Sequence, residues 1–399
     1  MKNKTSNTSL HGAKKAKNDE FYTQYGDIQK EIEAYLEYNP AVFRDKVVYC
    51  NCDDPFESNF FRYFVLNFNK IGLKQLITTS YKPSPVANTQ LGLFGDDKTL
   101  TKSKGRPKIN ANKFIINEVH DIDGDGEFNL KDIAKQLKAN KHNEWTPLEG
   151  AGDFRSDECI NLLKQSDIVV TNPPFSLFRE YVKQLFDYNK KFVIIGNMNA
   201  ITYKEIFPLI KNNKLWLGNG FRAGNAYFFT PNTRDFASGV YDIKTGLVKF
   251  RNVCWFTSLD HGRRHQPLPL MTMEENLKYS KHKEIKGKKA YDKYDNYNAI
   301  EVPFTDSIPS DYGGVMGVPI SFLDKYSPEQ FEIVGMCENI DLYKMKTKVY
   351  STAECKQAYF DKFGRKGTYD LNASGVVIKG GLLEKVYQRV LIKHKKPIK

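Results

Sequence analysis

The 399-residue sequence predicts an α/β protein: a mainly parallel sheet with helices on both faces, followed by a less regular C-terminal region. Three observations predict it. Short apolar runs alternate with stretches of helical periodicity between residues 23 and 197. The clearest runs, DIVVTN (167–172) and KFVIIGN (191–197), are apolar at successive positions, as strands buried on both faces of a parallel sheet must be. Beyond about residue 265 the alternation fades, and Tyr, Lys, Gly and Pro become frequent.

Taken in order, TQYGDIQKEIEAYLEY (23–38) is a helix with Ile28, Ile32, Tyr35 and Leu36 on one face. KVVYCN (46–51) is a buried strand that runs into the acidic turn CDDP. FESNFFRYFVLNF (56–68) forms a second helix and KQLITTSY (74–81) a second strand. Residues 83–113 are polar and turn-rich, a loop, and KFIINEV (113–119) is a further strand. Between the two clearest strands, Leu177, Phe178, Tyr181, Val182, Leu185 and Phe186 recur at helical spacing.

The junction Asn172-Pro173-Pro174-Phe175 between the 167–172 strand and that helix is unusual. Two successive prolines fix φ and remove two backbone donors, so the turn is rigid and extended. Parallel sheets bind ligands beyond the carboxyl ends of their strands. CNCDDP and NPPF both stand at such ends, and they face one site if their strands are neighbours.

Composition narrows the partners. A net charge of +13 and a pI near 9.1 point to a polyanion. The positive charge is clustered: five lysines and no acid in residues 1–18, KTLTKSKGRPK (98–108), seven lysines among three tyrosines in 278–294, and KHKKPIK at the end. Lys and Arg on phosphates supply most non-specific nucleic-acid affinity. No apolar run approaches the roughly 20 residues of a membrane span, and the N-terminus has no hydrophobic signal core, so a cytoplasmic protein is expected. Six scattered cysteines without a CxxC pair read as reduced thiols.

The NPPF turn, with DEFYTQY (19–25), DKVVYCNCDDP (45–55), GDFRSDECINLLKQSDIVVTNPPFSLFREYV (152–182), ITYKEIF (201–207), YDNYNAI (294–300) and GVMGVPISFLDKYSPEQFEI (314–333), resembles the EcoRI-type adenine-specific DNA methyltransferases over most of the chain. Residues 82–150, 220–250 and those after 340 diverge. The resemblance implies a Rossmann-like methyltransferase sheet using S-adenosylmethionine (AdoMet), with a basic tail at 1–18. A catalytic domain at 19–265 with an insertion at 83–150 and a target-recognition region at 266–399 would follow. It implies methyl transfer to N6 of an adenine flipped out of duplex DNA, without a metal, by a monomer. A cognate restriction endonuclease would act separately.

An exocyclic amine conjugated to a ring is a poor nucleophile, and two acceptors on its N–H bonds favour a pyramidal nitrogen with an available lone pair. Asn172 would offer its side-chain oxygen and Pro173 its carbonyl, held outward by Pro173 and Pro174. Phe175 would stack on the base, a contact of roughly 1–3 kcal/mol. By resemblance Tyr22 and Thr23 contact the cofactor's amino-acid end. Asn51, Asp53 and Asp54 line a cofactor loop that lacks the usual GxG, and Asp153 and Phe154 hold its adenine. No acidic residue closes ITTSY, so the ribose partner is unassigned. Lys104 and Arg106 in KGRPK, Arg263 and Arg264 in DHGRRH, and Lys286, Lys288 and Lys289 are the candidate DNA contacts. Two alternatives stay open: a methyltransferase of RNA or protein glutamine, and a catalytically silent DNA-binding protein.

Two metal patterns compete with bland readings. DIDGDGEFNLKD (121–132) spaces Asp121, Asp123, Asp125 and Asp132 like a calcium loop, yet ends in Asp rather than the bidentate Glu. Its other reading is a turn-rich insertion. His261 and His265 have i,i+4 spacing, but the glycine between them argues against a helix and no third ligand presents itself.

Overall fold

The computed structural model describes residues 22–52, 58–81, 111–122, 124, 129–139, 142–221, 225–229 and 239–397. Asp53, Asp54, Lys104, Arg106, Asp123, Asp125 and the 1–18 tail lie outside the described residues. The chain forms two compact units, one up to Leu209 with Lys214–Gly262, the other Ile210–Asn213 with Arg263 onward.

The first unit is built on an eight-stranded mixed sheet. Its strands are β1 (Val47–Cys50), β2 (Gln75–Thr79), β3 (Asn112–Ile116), β4 (Glu144–Pro147), β5 (Ile168–Thr171), β6 (Lys191–Asn197), β7 (Trp216–Leu217) and β8 (Val253–Thr257). They lie in the order β4-β3-β2-β1-β5-β6-β8-β7. The central run β2-β1-β5-β6 is parallel, and the flanking strands are antiparallel. The expected parallel sheet is therefore the middle of a mixed one. β1 and β5 are neighbours, pairing Val48 with Ile168 and Tyr49 with Val169. The chain leaves β1 toward β2 on one side and returns to its other side at β5, so their carboxyl ends form the switch point at which sheets of this kind bind ligands.

Helices α1 (Tyr25–Tyr38) and α2 (Asn59–Leu66) join the same core cluster as β1, β2, β5, β6 and β8. Ile28, Ile32 and Tyr35 of α1, with Phe60, Phe61 and Phe64 of α2, pack with Val48, Leu76, Ile168, Val193 and Trp255. Burying each such side chain contributes about 1.5–3 kcal/mol. The short helix α3 (Phe68–Ile71) follows, and α4 (Leu130–Ala139) precedes β4. Helix α5 (Asp157–Gln165) leads into β5, and α6 (Phe178–Asp187) leads out of it. α6 lies against β6 and β8 through Phe178 on Phe256 (ring centroids 4.9 Å) and Phe186 on Phe192 (5.6 Å). Gly196 permits that approach, because a Cβ there would lie 2.4 Å from the Phe178 ring.

Beside this sheet, Tyr22–Thr23 pairs antiparallel with Phe228–Phe229, which pairs in turn with the Leu247–Phe250 strand. The N-terminal residues expected to open a helix at 23 thus begin as a strand.

The second unit is more regular than expected. It holds a four-stranded sheet of Ile300–Glu301, Met316–Pro319, Arg389–His394 and Phe331–Met336, a hairpin of Val376–Lys379 with Leu382–Lys385, and a helix at Thr352–Phe363. That helix opens with a capping box of Ser351 and Glu354 and closes at Gly364, whose φ of 65° is left-handed. Glu301 and Arg389 form a buried ion pair (Nη2–Oε1 2.6 Å) that Tyr294 joins through its hydroxyl.

Candidate active site

The site is assembled from the segments at the carboxyl ends of the parallel strands. After β1, Asn51 is buried and held at both ends. Its carbonyl accepts from the Thr171 hydroxyl at the end of β5, and its side-chain Oδ1 accepts from the Tyr181 hydroxyl in α6. Burial, reinforced by Cys52, pushes the Tyr181 phenol well above the usual tyrosine range, so Tyr181 keeps its proton and is the donor. Cys52 next to it has φ of 64°.

Helix α2 opens with Ser58, whose Oγ accepts from the amides of Phe60 (3.1 Å) and Phe61 (3.2 Å). Asn59 Nδ2 donates to the Thr23 carbonyl at 2.7 Å. The Tyr22–Thr23 segment is thereby fixed to the helix that comes after the β1 loop. The Tyr22 ring lies 6.4 Å from that of Phe229.

After β2, Ser80 Oγ accepts from the Asn112 amide at 2.8 Å. Gly152 lies hard against this end of the strand. Its φ is 74°, and a Cβ would fall 1.9 Å from the Ser80 carbonyl oxygen. The next residue, Asp153, is gripped by Arg155, which donates from Nε (2.9 Å) and Nη2 (2.7 Å) and reaches Glu180 through Nη1 (3.5 Å). Phe154 is buried with its ring edge-on to Tyr181 at 5.0 Å, and its carbonyl accepts from Gln184 Nε2 at 3.0 Å.

After β5 comes the Asn172–Phe175 turn. Asn172, Pro174 and Phe175 are half-buried and Pro173 is buried. Phe175 opens a 3-10 turn that runs straight into α6, and its ring meets Phe250 edge-on at 6.4 Å. Asn51 and Phe154 are thus joined to each other through Tyr181, in the helix that NPPF begins. Two hydroxyls at this side of the molecule, Thr23 Oγ1 and Thr78 Oγ1, are buried with no hydrogen-bond partner among the described residues.

The basic candidates among the described residues belong to the second unit. Arg263 donates to Asp324 at 2.5 Å, Arg264 to Asn213 at 2.9 Å, and Lys288 to Asp292 at 2.7 Å, while Lys286 and Lys289 are exposed. Arg263 and Lys288 are therefore partly neutralised in place.

Of the calcium pattern, Asp121 accepts from the Gly124 amide (2.8 Å). Buried Asp132 accepts from the amides of Ile122 (3.1 Å) and Asn129 (2.9 Å), which makes it the anchor of its own turn. His261 is a core residue, with Nε2 at 3.0 Å from the Leu217 carbonyl and its ring against Tyr35, while His265 meets Glu329 at 2.8 Å. Among the described residues no three His, Cys, Asp or Glu side chains gather as a metal site, and no helix is long and apolar enough to cross a membrane.

Sequence reasoning did not single out Tyr181 or Thr171 as part of this site. Tyr181 read only as one member of the apolar stripe of α6. The available signal was a hydroxyl on a core position immediately after the NPPF turn.

Comparison with known proteins gives a consistent answer. The family described as "Adenine-specific methyltransferase EcoRI" matches residues 9–395. The chain is 43% identical over 348 residues to the Type II methyltransferase M.EcoRI of Escherichia coli, covering 86% of this chain and 93% of that protein. It is 36% identical over 344 residues to the Type II methyltransferase M.MpnI of Mycoplasma pneumoniae, covering 85% and 89%. A Mycoplasma genitalium protein, Type II methyltransferase M.MgeORF184P, is 36% identical over 336 residues, covering 82% and 86%. No solved structure matches the chain significantly.

Proposed function

Since this chain belongs to the EcoRI family of adenine-specific methyltransferases and is a Type II DNA adenine methyltransferase, we propose that the NPPF turn is its catalytic corner and the switch point beside it the AdoMet pocket. The observation that supports this reading is the adjacency of two strand ends: Asn51 after β1 is hydrogen-bonded by Thr171, the residue before Asn172.

The residues present suit the cofactor. Asn51 and the hydroxyl of Thr23 offer polar contacts for its amino-acid end, with Tyr22 beside them, and Thr78 is a candidate for the ribose that the sequence left unassigned. Phe154 is the apolar neighbour for its adenine. Asp153 joins it on condition that Arg155 leaves one carboxylate oxygen free. AdoMet supplies an electrophilic methyl group when bound.

The chain's own residues do the rest. Asn172 Oδ1 and the Pro173 carbonyl accept from the two N–H bonds of the target amine and draw it toward a pyramidal geometry. Phe175 stacks on the base, which must leave the duplex to reach the corner. Its edge contact with Phe250 fixes the ring plane. The surplus proton leaves to solvent, so no general base is assigned. The first-unit sheet serves as a Rossmann-like cofactor platform, and the unit from Arg263 onward reads the DNA sequence, with Lys286 and Lys289 as phosphate contacts.

The test is transfer of labelled methyl from AdoMet to duplex DNA, RNA and bulk protein in parallel, followed by nucleoside analysis. Label in N6-methyl-2′-deoxyadenosine from duplex DNA alone is expected. Label confined to RNA or protein would overturn the reading.

A further inference from the structure

We propose that Tyr181 is a positioning residue that couples the cofactor loop to the catalytic corner. The inference rests on the assignment of the Asn51 and Phe154 segments to cofactor binding and of NPPF to the target base. Tyr181 lies in the first turns of α6, the helix that starts from the 3-10 turn opened by Phe175. It is fully buried, yet its one polar atom is directed at a residue of another loop, Asn51, through Oδ1. Its ring edge supports Phe154 at 5.0 Å. A second link runs in parallel, from the Thr171 hydroxyl to the Asn51 carbonyl. One side chain therefore touches both segments assigned to the cofactor, from the helix that NPPF begins.

A purely structural tyrosine at a core position of α6 would have been served by phenylalanine, as at Phe178 of the same helix. The hydroxyl costs desolvation, which the Asn51 contact offsets. Its use is geometric. Methyl transfer needs the donor and the amine aligned within a fraction of an ångström, and a misplacement of about 1 Å costs on the order of 100-fold. Linking the loop that holds one reactant to the helix that carries the corner for the other removes that freedom.

Tyr181→Phe keeps the ring and removes the link. Its expected signature is AdoMet affinity weakened by up to about 5- to 150-fold, the range for a buried acceptor left without its donor, and a lower single-turnover rate at saturating AdoMet. Affinity for DNA without cofactor should stay near wild type, while the thermal midpoint falls modestly, because Asn51 Oδ1 loses its buried donor in the free enzyme as well. Combining Tyr181→Phe with Asn51→Ala should add little to the Asn51→Ala defect, because both remove one contact. Wild-type AdoMet affinity and rate in Tyr181→Phe, or effects that multiply fully in the double variant, would overturn the coupling. So would a thermal loss with unchanged kinetics. Asn172→Ala measured alongside separates the two levels: activity retained there defeats the reading of the corner itself, whatever Tyr181 does.

Discussion

Gly152 is the tightest point in the candidate site, and replacing it with alanine tests the arrangement of the strand ends. Two costs add. A left-handed φ of 74° is strained for any residue with a Cβ, at roughly 1–2 kcal/mol. The added methyl would sit 1.9 Å from the Ser80 carbonyl oxygen. That is a backbone atom, itself fixed by the pairing of Ser80 with Asn112, so the turn must move, at a further cost of about 1–3 kcal/mol. Gly152→Ala should therefore destabilise the first unit by about 2–5 kcal/mol. It should also weaken AdoMet binding by shifting Asp153 and Phe154. The internal control is Gly150→Ala, where a Cβ meets nothing within 4 Å, with an expected change within about 0.5 kcal/mol. Urea unfolding of both variants, paired with AdoMet calorimetry, reads the difference. Equal midpoints for the two variants would refute the close approach of the 152–154 turn to β2.

Two other predictions concern charge. Hydrogen bonds from Lys348 and Tyr350 hold the Asp295 carboxyl below its usual value of 3.8. A depressed folded-state pKa contributes stability that is present above the unfolded value and is lost as pH falls through the folded one. Asp295→Asn should thus flatten the acid limb of unfolding midpoint against pH below about pH 4, and an identical limb in both proteins would contradict the assignment. Replacing Lys286 and Lys289 together by alanine should reduce the slope of log K against log salt for duplex binding by about 0.9 for each phosphate no longer neutralised. An unchanged slope would remove both lysines from the interface.

The parallel centre of the sheet was legible because burial on both faces leaves a plain mark: Val47 to Cys50, Ile168 to Thr171 and Lys191 to Asn197 are nearly the segments expected. Of the antiparallel flanks, only β3 (Asn112–Ile116) was anticipated, within KFIINEV. β8 (Val253–Thr257) is fully buried, yet no crossover helix of its own marks it as a sheet member. Helix α5 carried its own signals, Ser156 as cap with Asp157 and Glu158 behind it, and so did the helix at Thr352–Phe363 with its capping box. Local chemistry there was stronger than the faded hydrophobic alternation used to judge the region. Within the site, the strand-end loops followed from the topology rule alone. The links between them did not, because Tyr181 and Thr171 act through hydrogen bonds to a residue 120 or more positions earlier in the chain. A sequence pattern carries no trace of such a pairing. The basic residues show what charge runs leave out: positive charge suggests phosphate contacts, but not the pairing of Arg263 and Lys288 with aspartates of their own unit.

The central claim is that Asn172 and Pro173 hold the target amine at the end of β5. Single-turnover methylation of duplex DNA by Asn172→Ala, with AdoMet and DNA affinities measured on the same preparation, tests it most directly. The account predicts a rate lowered by at least about 100-fold, as for removal of an oriented polar group that acts on the reacting centre, with both affinities close to wild type. A near-normal rate, or a loss explained wholly by failed AdoMet binding, would contradict it.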